Sequence, residues 1–282
     1  MKNRGLVVAY NGADAGLGNR IRVTLGAANL ARAENRAFRY VWPQTPLFEP
    51  ALSDIWDWRE GRTMSRAVSR VMAKVTGYYD NTLSGIRRDA SRPVWQVRTG
   101  GVLQLPEGVT PWEQSFRELS PVKEVSELVS STFDRHLRDR VYVGVQLRVH
   151  AVSHQVTKEA SPVEWYTHRM DEILQDRPDT AFYISCDVPE VKRRILAAYP
   201  TAVGLEHDAA YNSTTAVRHA VSDLYLLASS VHMLGPHHSS FIEMAQHLSS
   251  PSVTTEKARE GDAVPNWSSV PLARDPLTPH LR

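Results

Sequence analysis

The chain has 282 residues, enough for one large domain or two modest ones, and its 42% hydrophobic and 23% charged content is that of an ordinary globular protein. A formal net charge of +2 is too small to draw it to nucleic acid or an anionic membrane. The single cysteine, Cys186, excludes an internal disulfide and a cysteine metal cluster. No apolar run approaches the roughly 18 residues of a membrane span. The first such run, Leu6 to Tyr10, is shorter than a signal-peptide core, so a cytoplasmic setting is expected.

In chain order, Leu6 to Tyr10 reads as a strand, and the Gly-rich turn NGADAGLGN follows it. A helix is predicted from about Arg20 to Asn35, then a strand over Phe38 to Trp42 that Pro43 ends. This strand, Gly loop, helix, strand order is a βαβ unit. Residues 43–118 carry many Trp, Arg and Pro with weak periodicity, and only Val94 to Val97 reads there as a strand. A helix is expected from Pro121 to about Arg138.

From Val141 the signals become regular. Val141 to Leu147 is a near-continuous apolar run, as in a strand buried on both faces, and Arg148 follows it. Pro162 to Gln175 is a predicted helix, Ala181 to Cys186 a strand, and Pro189 to Tyr199 a helix. Ala202 to Leu205 then reads as a strand, Thr214 to Ser229 as a helix, Val231 to Leu234 as a strand, and Ser239 or Ser240 opens a helix to Leu248. Four strand–helix repeats predict a doubly wound α/β domain. The tail from Pro251, rich in Ser, Pro and Thr, reads as irregular surface chain.

Several residues carry chemistry. In open α/β sheets ligands sit at the carboxyl ends of the strands, so Arg148 would leave its strand there, with a guanidinium fork suited to phosphate oxygens. A strand-end arginine can equally pair with a surface carboxylate. Gly16-Leu17-Gly18-Asn19-Arg20 sits at the turn into the first helix, where free N–H groups favour an anion. The dinucleotide fingerprint is incomplete, with Ile21 in the third glycine position and no acidic residue after the second strand.

Asp187, directly after the strand AFYISC, either contacts a ligand hydroxyl or base, or caps the next helix. Asp223 interrupts an apolar helix; it faces solvent or holds a partner such as an amidine-like base edge. His237-His238-Ser239-Ser240 joins a strand to a helix start, where hydroxyl and N–H groups suit a phosphate or simply cap. The histidines lack a metal-binding spacing, and no Asp-x-Asp holds a divalent ion, so no metal is expected.

Together these pieces resemble the fucosyltransferase superfamily, most closely the α-1,6 and nodulation-factor type, with protein O-fucosyltransferases more distant. VGVQLRVH is similar to the family strand that ends in an H-x-R motif, with Arg148 at the phosphate-binding arginine. FYISCDVPEVKRRILAAYP resembles the second motif, with Asp187 at its nucleotide-contacting acid. AVRHAVSDLYLLASSVHMLGPHHSSF resembles the third, with Asp223 at a guanine-reading aspartate and Ser239 and Ser240 at phosphate contacts. SPVEWY places Tyr166 at a family tyrosine, and GLGNR (Gly16, Gly18, Asn19, Arg20) is similar to a loop facing the cleft. The match covers residues 141–250 well and 5–42 loosely.

The resemblance implies a GT-B-like fold of two Rossmann-type domains flanking a cleft. An acceptor-side domain would span 1–138, a nucleotide-sugar domain 139–250, and an irregular tail 251–282. It also implies GDP-fucose as donor, a carbohydrate or natural-product acceptor, inversion, and no metal or other cofactor. Arg148, Asp187, Arg218, Asp223, His238, Ser239, Ser240 and Tyr166 would bind the donor. Gln146 stands where the family motif has His, Val149 replaces a second arginine and Ala151 an aspartate. Inverting transfer needs a base, and Glu159, His150 and His154 are the local candidates, with Glu159 first. The alternative is a non-catalytic nucleotide-sugar-binding protein on the same fold.

Overall fold

The computed structural model describes residues 5–86, 88–150, 159–260 and 267–281. The chain divides into two compact units, Met1–Val122 with Ala210–Val217, and Lys123–Ala209 with Arg218–Arg282.

In the first unit, β1 (Leu6–Tyr10), β2 (Ala37–Val41), β3 (Arg62–Thr63) and β4 (Val94–Arg98) form a parallel sheet in the order β3-β2-β1-β4. The helix α1 (Leu17–Ala33) links β1 to β2 and is buried along most of its length, Ile21, Val23, Leu25, Ala28 and Leu30 included. It is buried on most of its faces, so its buried polar groups, Arg20, Thr24 and Asn29, need partners inside the unit. Thr24 Oγ1, for one, accepts from Asn11 Nδ2 at 3.1 Å. The region with weak periodicity holds two helices that the sequence did not reveal, α2 (Arg66–Thr76) and α3 (Trp112–Arg117). On α2, Val68, Val71 and Val75 are exposed while Ser69 is buried and hydrogen-bonded to Gln96 at 2.6 Å, so its apolar spacing does not report its buried face.

The second unit opens with α4 (Lys123–His136). Its sheet is parallel throughout, in the order β7-β6-β5-β8-β9: β5 is Tyr142–Leu147, β6 Ala181–Cys186, β7 Ala202–Val203, β8 His232–Gly235 and β9 Thr254–Lys257. Among the described residues it also carries the helices α5 (Val163–Asp176), α6 (Pro189–Ala198), α7 (Thr214–Ala228, from Arg218 on) and α8 (Ser240–Leu248). All of β5 is buried. Val143, Val145 and Leu147 pack with Tyr166, Met170 and Ile173 of α5 and Ile195 of α6. The other face meets α7: the Tyr142 hydroxyl donates to the Leu226 carbonyl at 2.8 Å, and a Cβ on Gly144 would lie 3.0 Å from Leu227 Cδ2 and 3.3 Å from its Cα. Burial on two faces is why the strand reads as an unbroken apolar run, each Val or Leu contributing about 1.5–3 kcal/mol.

Two boundaries differ from expectation. The N-terminal stretch of the first unit runs to Val122, against an expected 138, and Ala210–Val217 belongs to that unit as well; α4 lies with the second unit, where Leu128, Ser131 and Thr132 share a cavity wall with Leu196, Ala202 and Val203. The tail after 250 is not irregular throughout, since β9 extends the sheet beside β8. Its sequence TTEK has no apolar run; it is held by the backbone ladder and by buried Glu256, which accepts from Arg169 at 2.7 and 3.0 Å. Trp267 then stacks on buried His232, ring centroids 5.5 Å apart.

Candidate functional site

The strand order of the second sheet reverses between β5 and β8: from β5 the chain winds through β6 to β7, then returns to lay β8 on the other side. Ligands bind at the carboxyl ends of strands at such a point. β5 brings Gln146 and Arg148 there, and β8 brings the loop His237 to Ser240. The two are joined: Ser239 Oγ donates to Gln146 Oε1 at 3.4 Å, and Gln146 Nε2 donates to the Leu147 carbonyl at 3.2 Å. Ser239 also caps α8, accepting from Phe241 N at 3.3 Å. His238 is exposed with φ +55°, a left-handed conformation that few non-glycine residues hold. His237 N donates to Ser161 Oγ at 2.8 Å, fixing the loop from the other side. Ser240, half-buried, is the first residue of α8. Arg148 is half-buried, and its guanidinium makes no hydrogen bond or ion pair among the described residues. The surface-pair reading of Arg148 therefore finds no carboxylate there.

Asp187 does not cap the helix after it. The N-cap of α6 is Val188, with no side-chain cap bond, because the Asp187 carboxylate turns back to the β5 loop. Its Oδ1 accepts from Val149 N at 2.8 Å and from His150 N at 3.0 Å. It thereby sets the backbone on which Arg148 and His150 are carried. His150 is half-buried, Glu159 is exposed, and His154 lies outside the described residues.

Asp223 does not face solvent. It is buried, and its two oxygens accept from the Tyr183 hydroxyl at 2.5 Å and from Ser185 Oγ at 2.8 Å, both on β6. Burial, then the adjacent carboxylate, push the Tyr183 phenol well above its ordinary pKa, so it stays a donor. His219, one turn before Asp223, packs against His207 with ring centroids 4.5 Å apart, and burial draws both imidazoles below their usual pKa. Buried Lys192 donates to the Leu205 carbonyl at 2.6 Å. Of these neighbours only His219 had a sequence signal, the i, i+4 spacing to Asp223 that puts both on one helix face.

Other expectations shift. Arg218 is half-buried and lies 3.5 Å from Glu124 Oε1 on α4. Tyr166 is fully buried in the core rather than at a donor surface, since Tyr166, Met170 and Ile173 form the inward stripe of α5. Burial raises its phenol well above the ordinary value.

Around α1, Gly16 is the N-cap with open space where a Cβ would stand, and Gly18 is buried. Asn19 Oδ1 accepts from Arg22 Nη2, and Arg22 Nε donates to the Gly100 carbonyl at 2.7 Å. Arg20 is not a cleft-facing group. Fully buried, it donates to the carbonyls of Ala15 (2.7 Å), Pro43 (2.8 Å) and Ala13 (3.2 Å), and its guanidinium lies 4.1 Å from the Phe48 ring centroid. A buried guanidinium needs such acceptors, and the glycine loop supplies them. Burial lowers its pKa to about 10, against the opposing pull of Asp14, so it stays charged at neutral pH. Among the described residues no group of three or more His, Cys, Asp or Glu is placed to hold a metal ion, and no helix is long and apolar enough to cross a membrane.

No family model and no curated protein sequence matches the chain. Solved structures do. The fucosyltransferase NodZ from Bradyrhizobium superposes with a TM-score of 0.60 at 13% identity, over 87% of this chain and 93% of that one. FUT1 of Arabidopsis thaliana, in complex with GDP, gives 0.60 at 12% identity over 92% and 71%. POFUT1 in complex with GDP gives 0.54 at 11% identity over 92% and 99%. The chain thus has the α/β fold of the GT-B fucosyltransferases.

Proposed function

We propose that this protein is an inverting, metal-independent glycosyltransferase that moves fucose from GDP-fucose to a saccharide or other small-molecule acceptor. The observation that carries the reading is Arg148: a half-buried arginine without a protein partner among the described residues, at the strand-order reversal of a sheet built like those of the solved fucosyltransferases. NodZ soaked with GDP-fucose and POFUT1 in complex with GDP supply the donor class by analogy of fold.

As the C1–O bond to the diphosphate breaks, negative charge grows on the GDP oxygens. Arg148 meets it with a guanidinium, and the N-terminus of α8 with the free N–H groups near Ser239 and Ser240. The acceptor oxygen attacks C1 from the opposite face, forming the new glycosidic bond, and its proton passes to Glu159 or His150. Asp187 positions Arg148 through the backbone, and Asp223, with Tyr183 and Ser185, offers a fixed carboxylate beside the nucleotide. Nothing in this scheme requires a metal, because cation and helix terminus supply the positive charge.

One observation favours the second reading, a binding protein without turnover. Gln146, where the family motif carries a titratable His, can take no proton, and its amide is held by Ser239 and Leu147. The test is thermal shift with GDP, UDP and GDP-fucose, alongside GDP release in the presence of candidate acceptors. Stabilisation by GDP but not UDP, with GDP released from GDP-fucose, is expected. No stabilisation by either GDP ligand sinks the donor assignment; stabilisation without release under any acceptor supports the second reading.

A further inference from the structure

The first sheet has its own reversal of strand order, between β1 and β4. The last residues of those strands, Tyr10 and Arg98, are register partners. The Arg98 guanidinium lies 5.0 Å from the Tyr10 ring centroid and 5.4 Å from that of Tyr78, and the two tyrosines meet edge to face at 5.5 Å. Arg66 and Arg70 stand one turn apart on α2. Burial raises the Tyr10 phenol, but the pull of these two arginines together outweighs it and leaves the phenol below its ordinary pKa. Arg66 Nε is buried with no hydrogen-bond partner. None of the three arginines has an ion pair with a carboxylate among the described residues.

Three positive groups gathered on one phenol repel one another, and a buried guanidinium N–H without an acceptor costs about 1–3 kcal/mol. An anion in the centre removes both costs, and guanidinium forks fit carboxylate and phosphate oxygens alike. Like other ligand sites in open parallel sheets, the cluster sits at the carboxyl ends of strands where their order reverses. This is a different use of arginine from that of Arg20, whose N–H groups are consumed by backbone carbonyls.

We propose that the carboxyl ends of β1 and β4 in the first unit, with Arg66, Arg70, Arg98 and the Tyr10 hydroxyl, bind an anionic group of the acceptor, a carboxylate or a phosphate ester on a sugar. The assignment to the acceptor rests on the glycosyltransferase reading; the anion site itself does not.

Calorimetric titration at low salt, with GDP present to fill the other anion site, tests it with methyl β-D-glucuronide, glucose 6-phosphate and neutral methyl β-D-glucoside. The wild type and Arg148→Ala should bind at least one anionic sugar about tenfold or more tighter than the glucoside. Arg70→Gln/Arg98→Gln, at exposed positions where the fold is safe, should lose that preference. Which anionic sugar wins tells carboxylate from phosphate. Equal affinity for all three sugars, no binding of the anionic pair, or a preference that survives in the double variant would each overturn the proposal. Failure of GDP to bind in the same samples counts against the donor reading alone and leaves the comparison among sugars readable.

Discussion

The connections that follow β1 and β5 occupy the same place in two parallel sheets, and each is met by an arginine: Arg20 in the first turn of α1, Arg148 directly after β5. They are used oppositely. Arg20 is fully buried and donates to three carbonyls, two of them in the loop before its helix, with Phe48 beneath its guanidinium. Arg148 is half-buried and makes no polar bond among the described residues, while Asp187 organises the backbone directly after it. One guanidinium is a structural clamp; the other is the one proposed to meet the donor. The difference is set by acceptors: where backbone carbonyls converge on an arginine it becomes part of the fold, and where they point elsewhere it remains a site.

Substitutions should separate the two roles. The largest effect is expected for Arg20→Met, which leaves three carbonyls without a donor and should lower unfolding stability by about 3 kcal/mol in chemical denaturation. A change below about 0.5 kcal/mol would show that the clamp is dispensable and break the contrast. Arg148→Ala should do the reverse. Its unfolding stability should stay within about 0.5 kcal/mol of the parent, as for substitutions away from packed features, while its Kd for GDP rises about 30- to 100-fold by calorimetry. Equal GDP affinity would remove Arg148 from the site.

Gly144→Ala probes the frame beneath Arg148. The new methyl would stand 3.0 Å from Ser230 Oγ and Leu227 Cδ2, with the Leu227 backbone at 3.3 Å, too close to relax by rotamer change alone. A loss of about 1–2 kcal/mol is expected, with a weaker GDP response as β5 is pushed from α7. An unchanged melting curve would mean that the packing at α7 has slack.

The smallest effect is a pH dependence confined to the second unit. Burial, with Lys192 acting on both rings and His207 on His219, favours the neutral imidazoles in the folded state, and Asp223 and, for His207, Asp208 oppose this in part. The unfolded chain takes up protons near 6.5, so the stability held by these rings is complete above that pH and falls as the pH drops below it. The slope should be less than the roughly 2.7 kcal/mol per pH unit of two full protons. His207→Gln/His219→Gln should flatten stability between about pH 6.5 and 5; an unchanged acid limb would place the titrating groups elsewhere. Arg20, whose pKa is about 10, has no counterpart to this limb.

Much of the second unit was legible in the chain. β5 and β6 announce themselves because both faces are buried, and Arg148 and Asp187 stand out as charges directly after apolar runs. The Asp223 helix was legible as a helix, but that its carboxylate is held by Tyr183 and Ser185 was not, since strand residues alternate faces and only the placement of β6 decides which hydroxyls reach it. Tyr166 illustrates the limit of motif likeness: its position matched, yet the inward stripe of α5 took it into the core. Periodicity gave no sign of α2, whose valines face outward, or of β9, whose only buried side chain among the described residues of the strand is Glu256.

By itself, then, the sequence determined the alternation of strands and helices and the positions where charge follows an apolar strand, because burial writes periodicity directly into residue order. The tertiary structure alone decided what each charge meets. Whether an arginine finds three carbonyls, like Arg20, none among the described residues, like Arg148, or a pair of tyrosine rings, like Arg98, depends on how the chain folds, and hydrogen-bonding acceptors of the backbone are the same at every residue and leave no mark in the sequence.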